Sequence, residues 1–182
     1  MTQNVLEKLA ATNPDCEIWW DSSPLIYPSW KAETLAKAPA GKEADWEAQL
    51  TRLYDNATIH ESGKMGFRGV TTNPPLSLQA IQLDPELWTA EIRKTARENP
   101  GLDYEGVYWS MYLDLVKMGA AAIRRVFETS GGKYGFLSGQ VDPRFVSDGD
   151  KMLAMGLTIA AQGPNVMVKL PGSKEGYEML EE

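Results

Sequence analysis

NVMVKLPG, residues 165–172, is an apolar run with two valines, interrupted by a single lysine and closed by Pro171-Gly172. A run of this kind, bounded by turn residues, predicts a strand buried on both faces. Its neighbours fix the fold class. DGDKMLAMGLTIAAQG (148–163) just upstream has the spacing of an amphipathic helix, with Asp148 or Asp150 as N-cap and Gly163 as C-cap. YGFLSGQVD (134–142) is a third strand candidate, and FRGVTTNPP (67–75) a second, stopped by Asn73-Pro74-Pro75. The first is CEIWWDSS (16–23), which follows a short helix over residues 3–11.

Helical spacing fills the intervals. Trp46, Leu50 and Leu53 form one apolar stripe within residues 28–66, a helical insertion between the first two strands. Residues 76–130 are helical, and Val107, Met111, Leu115, Met118, Ala122 and Val126 form a stripe whose C-terminal end carries Arg124 and Arg125. SKEGYEMLEE (173–182) opens a further helix. Strands alternating with helices predict an α/β fold with a parallel sheet of βαβ units, a single domain over 1–182.

Composition narrows the function classes. The chain has 182 residues, 43% hydrophobic and 24% charged, with a net charge of -7. That balance argues against nucleic acid or an acidic membrane face as the main partner. There is no long apolar run, and the polar start MTQNVLEKLAATNP is not expected to be a signal peptide. The single cysteine, Cys16, fits a reducing, cytoplasmic setting and a small boundary residue. One cysteine and one histidine (His60, in a polar stretch) make no Cys/His metal site, so no metal is expected.

Lys169 carries the chemistry. Desolvation favours the neutral amine over the ammonium, and a neutral amine attacks carbonyls to form a Schiff base. A lysine at a strand end also reads as one whose head escapes to solvent or pairs with an acid. The other strands tilt the balance, because each ends in polar residues: Asp21, Ser22 and Ser23; Thr71, Thr72 and Asn73; Ser138, Gln140 and Asp142. In a parallel (β/α) array those ends gather on one face, where active sites of such folds lie. Asp142 reads chiefly as a strand-end partner of Arg144.

EIWWDSS, GVTTNPPL, SGQVDPR and GPNVMVKLPGSKEGY, in that order, resemble the successive strand motifs of transaldolases, and the resemblance covers most of the chain. It implies that Lys169 is the Schiff-base lysine and that Asp21 handles the proton of a substrate hydroxyl during carbon–carbon cleavage. Asn73, with Thr71, corresponds to a polar pair that binds substrate hydroxyls, and Ser138 and Ser173 join them as substrate-binding candidates. Gln140 stands where transaldolases usually carry a glutamate that relays protons through water. An amide positions water but carries no proton at neutral pH, and the related fructose-6-phosphate aldolases have glutamine there. The implied reaction is cleavage or transfer of a three-carbon ketol unit from a ketose or ketose phosphate, with no cofactor.

Four strand–helix units are about half of an eight-stranded (β/α) barrel. Closure therefore calls for a partner half-barrel chain, a missing segment of a longer protein, or a second copy; the first two are favoured, since self-pairing would duplicate Lys169. The alternative to catalysis is a non-catalytic or regulatory half-barrel that binds and stabilises a partner.

Overall fold

The computed structural model describes residues 3–13, 15–54 and 66–180. His60 lies outside them. The elements run α1 (Val5–Thr12), β1 (Trp19–Asp21), α2 (Tyr27–Leu35), α3 (Glu43–Tyr54), β2 (Gly69–Thr71), α4 (Pro74–Leu83), α5 (Pro85–Glu98), α6 (Tyr104–Ala122), α7 (Arg124–Thr129), β3 (Phe136–Gln140), α8 (Gly149–Ala160), β4 (Val166–Lys169) and α9 (Lys174–Glu178). The four strands form one sheet in the order β1-β2-β3-β4, every pair parallel. The fold is α/β and has half the strands of a (β/α) barrel, as the alternation of motifs predicts.

Strand side chains alternate between the two faces, and the faces differ in cover. Val70 and Leu137 point to the helical side, each about 1% exposed, and join Tyr112, Val116 and Ala120 of α6 and Met152 and Ile159 of α8 in the main core. On the other face, Met167 is 45% exposed and Asp21 is exposed. One face of the sheet is thus a finished core and the other is open.

Two glycines permit this packing. A Cβ on Gly139 would lie 2.7 Å from Ile159 Cγ2, so only hydrogen lets α8 approach β3 this closely. Gly135 has a φ of 82°, and a Cβ there would lie 2.3 Å from the Phe127 amide nitrogen. Asn165, 1% exposed, ties the lower end of the sheet together. Its Nδ2 donates to the carbonyls of Ala120 (2.8 Å) and Gly135 (2.9 Å).

The helices differ from the predicted ones in detail. Residues 76–130 divide into α4 to α7. Ile123 (φ −106°, ψ 7°) leaves the helical region between α6 and α7, so Arg124 and Arg125 begin α7 instead of ending a long helix. Met111 and Leu115 of the expected stripe are buried, but Met118 is 39% exposed and Ala122 is exposed. The sheet-facing side of α6 runs through Tyr112, Val116 and Ala120 instead. Asp148 caps α8, accepting from the Lys151 amide at 3.1 Å, and the helix closes at Ala161, two residues before Gly163.

Within residues 28–66 the described part is 28–54 and 66, which holds α2 from its second residue onward and all of α3. An aromatic cluster ties this segment to β1: the ring centroid of Trp20 lies 5.5 Å from that of Trp30 and 6.1 Å from that of Tyr54. Trp46, Leu50 and Leu53 line a groove with Val5 and Leu6 of α1. Glu7 and Arg52 join the same helices through an ion pair of 2.9 Å.

Candidate active site

The parallel register sets the site. Asp21 pairs with Thr71, Thr71 with Ser138 and Ser138 with Met167, so these four occupy one row across the sheet. Two residues further along, Gln140 pairs with Lys169. Two residues in a strand restore the same face at a rise of about 6.6 Å, so Gln140 and Lys169 form a second row above the first. All six side chains therefore share the open face, at the C-terminal ends of the strands.

The register brings some candidates together and holds others apart. Gln140 and Lys169 are immediate neighbours, as are Asp21 and Thr71, and Thr71 and Ser138. Asp21 and Lys169 sit on the two edge strands and in different rows, three strand spacings across and one row along, or about 16 Å apart on a flat sheet. Lys169 is half-buried, as are Thr71, Ser138 and Gln140. The burial expected for a lysine in an apolar strand is thus only partial, because its face is the uncovered one.

The backbone around the second row is firmly held. The Val141 amide donates to the Lys169 carbonyl at 3.2 Å. The Gln140 amide donates to the Tyr112 hydroxyl at 2.7 Å. Tyr112 is 1% exposed, and burial pushes its phenol up to about 12, so it is a neutral acceptor. No local signal marks Tyr112 in the sequence, since it lies in α6 and reaches Gln140 only through packing.

Asn73 and Ser173 both carry structural work. Asn73 Oδ1 caps α4 by accepting from the Leu76 amide at 2.9 Å. The cap occupies Oδ1 and not Nδ2. Ser173 caps α9, accepting from the Gly176 amide at 3.0 Å, and its hydroxyl donates to the Val146 carbonyl at 3.0 Å. A hydroxyl has one proton, and that of Ser173 is already placed.

Asp142 is an ion-pair partner, as its spacing from Arg144 predicts. It is 2% exposed, and its oxygens accept from Arg144 Nε at 3.0 and 2.9 Å. Burial alone would push this carboxyl up, but hydrogen bonds from the Arg144 side chain and amide outweigh it and hold the group below the usual range. Arg144 also reaches Glu105 at 2.6 Å, joining the β3 end to the start of α6. Thr72 Oγ1, beside Asn73, is buried without a hydrogen-bond partner among the described residues.

Among the described residues, no group of three or more His, Cys, Asp or Glu side chains could hold a metal ion, and no helix is long and apolar enough to cross a membrane.

The geometry is that of part of a (β/α) barrel, an open four-stranded parallel sheet with a polar face at the strand ends. The family model for Transaldolase/Fructose-6-phosphate aldolase matches residues 53–182, and the chain belongs to that family. It is 29% identical over 140 residues to the transaldolase of Thiobacillus denitrificans, covering 75% of this chain and 38% of that protein. To the transaldolase of Neisseria gonorrhoeae it is 30% identical over 139 residues, covering 75% and 39%. To transaldolase 1 of Streptomyces coelicolor it is 34% identical over 116 residues, covering 63% and 30%. The chain spans less than two fifths of the length of these relatives.

Proposed function

We propose that the strand ends form the donor side of a Schiff-base aldolase site, with Lys169 as nucleophile and a ketose or ketose phosphate as substrate. The observation that carries this reading is the shared face of Asp21, Thr71, Ser138, Gln140 and Lys169, with Gln140 directly opposite Lys169. The Lys169 amine adds to the substrate carbonyl, and loss of water with uptake of one proton from solvent gives a protonated imine. Asp21 accepts the C4 hydroxyl proton as the C3–C4 bond breaks. The bonding pair moves to the imine nitrogen, leaving a three-carbon enamine on Lys169 and a free aldehyde.

The enamine then has two fates. Protonation at C3 and hydrolysis release the ketone, as in an aldolase; attack of C3 on another aldehyde transfers the unit, as in a transaldolase. Gln140 orients water beside the lysine but carries no proton itself; the glutamine that fructose-6-phosphate aldolases have at this point is what supports the first fate. Thr71, Ser138 and the Nδ2 of Asn73 bind substrate hydroxyls. The single proton of Ser173 is given to the Val146 carbonyl, so this serine acts by holding the turn after Lys169.

Asp21 and Lys169 act on one substrate only if the sheet curves into a closed barrel. In this reading further β/α units complete it, in a second chain or in additional sequence. The uncovered face and the exposed apolar side chains by β4, Leu157 at 63% and Leu180 at 69%, support that completion. Size-exclusion chromatography with mass analysis of the natural assembly tests it; an active particle containing this chain alone contradicts it.

Borohydride reduction in the presence of ketose tests the chemistry. A covalent adduct on Lys169 is expected, and no adduct in the completed assembly, under conditions that trap a transaldolase, refutes the mechanism. Gln140 also keeps a non-catalytic, partner-stabilising half-barrel in view. That reading requires Lys169→Met to leave function intact while the complex persists.

A further inference from the structure

We propose that Tyr112, deep in α6, is a positioning residue that fixes Gln140 beside Lys169 by accepting the Gln140 amide hydrogen. The inference rests on the reading of Lys169 and Gln140 as the reacting pair.

The need for such an anchor follows from the register. β2 and β3 pair through Thr71 and Ser138, and the last contact between them is the Thr72 amide donating to the Ser138 carbonyl at 3.2 Å. At Asn73-Pro74 the chain turns into α4, so β3 outruns its neighbour by two residues. In a parallel ladder the Gln140 amide would next donate across to that neighbour. The Tyr112 hydroxyl takes the hydrogen instead, at 2.7 Å. On the far side, the Val141 amide donates to the Lys169 carbonyl at 3.2 Å.

Gln140 is therefore gripped on both sides: by Tyr112 through its own amide, and by the Lys169 strand through the next one. Tyr112 is itself well fixed. It is 1% exposed, and its ring meets Trp109 edge-on at 5.4 Å between centroids. A neutral acceptor suits the position, since it holds a peptide group without placing a charge beside the lysine.

The test uses the full chain in its completed assembly, with Tyr112→Phe made alone and in the Gln140→Ala background. In Tyr112→Phe, the Gln140 amide should exchange with solvent about tenfold faster or more. The kcat for ketose cleavage should fall about tenfold while KM stays within about twofold. In the Gln140→Ala background the same substitution should leave kcat unchanged, because the group it positions is gone.

Tyr27→Phe is the matched control. It removes another buried phenol, one that donates to the Leu50 carbonyl and packs on Trp20 of β1, two strands from Gln140, and it should lower Tm without changing Gln140 exchange. Unchanged Gln140 exchange in Tyr112→Phe overturns the proposal. So does an equal loss of kcat in both backgrounds, which marks a general packing effect. Exchange is read without catalysis, so absence of any borohydride adduct on Lys169 defeats the functional reading separately, while the exchange result still decides whether Tyr112 holds Gln140.

Discussion

Gln140 and Lys169 are direct partners in the register of β3 and β4. A carboxamide held beside an amine can order water, but a carboxylate there could also carry protons. Gln140→Glu should therefore raise turnover in the completed assembly by about 10- to 100-fold, within the usual range for general acid–base catalysis. Steady-state kcat for ketose cleavage checks this, and an unchanged or lower kcat shows that proton carriage at this position does not limit the reaction.

Asn73 combines two duties that substitution can separate. Its Oδ1 caps α4, leaving Nδ2 as the proposed donor to substrate. Asn73→Asp keeps the capping oxygen and loses the donor, so its Tm should stay near that of the parent while KM rises. Asn73→Ala should lose about 1 kcal/mol of stability as well. Equal stability losses in the two variants would contradict the division.

The Asp142–Arg144 pair should make stability pH-dependent in a defined direction. A carboxyl lowered in the folded state contributes stability that is fully present above its unfolded value of about 3.9 and is lost as the pH falls through the folded one. Asp142 is such a group, held low by Arg144 against the upward push of burial. Arg144→Ala should cost roughly 1–3 kcal/mol at neutral pH, the range for leaving a buried polar group unpaired. The difference between variant and parent should shrink as the pH falls below the folded value. Urea unfolding at neutral pH and at successively lower pH reads it, and a constant difference would show that the pair is not the cause.

Asn165 should be the most sensitive of these positions for folding. Its amide nitrogen satisfies two buried carbonyls. Asn165→Ala strands both, for an expected loss of about 2–4 kcal/mol. Asn165→Asp should be no better, because a carboxylate cannot donate to either. Chemical denaturation gives the values; an Asp variant as stable as the parent would show that the carbonyls do not need this donor.

Local sequence alone determined a good deal. Alternating strand and helix periods gave the parallel α/β class, since each period is set by local geometry. The polar residues ending each strand marked the face where Lys169 lies. The Asp142–Arg144 pair was legible too, because both members fall within one turn.

Tertiary structure decided the rest, because it depends on contacts between residues far apart in sequence. Register alone makes Gln140 and Lys169 neighbours and sets Asp21 on the opposite edge strand. The early departure of β2 into α4 leaves an amide for Tyr112 to accept, and no spacing within β3 announces a partner in α6. Ser173 reads locally as a polar residue after the lysine strand, and only packing directs its hydroxyl to donate to the Val146 carbonyl. Lys169, placed in an apolar run, is only half-buried because the sheet covers one of its faces with helices and leaves the other open.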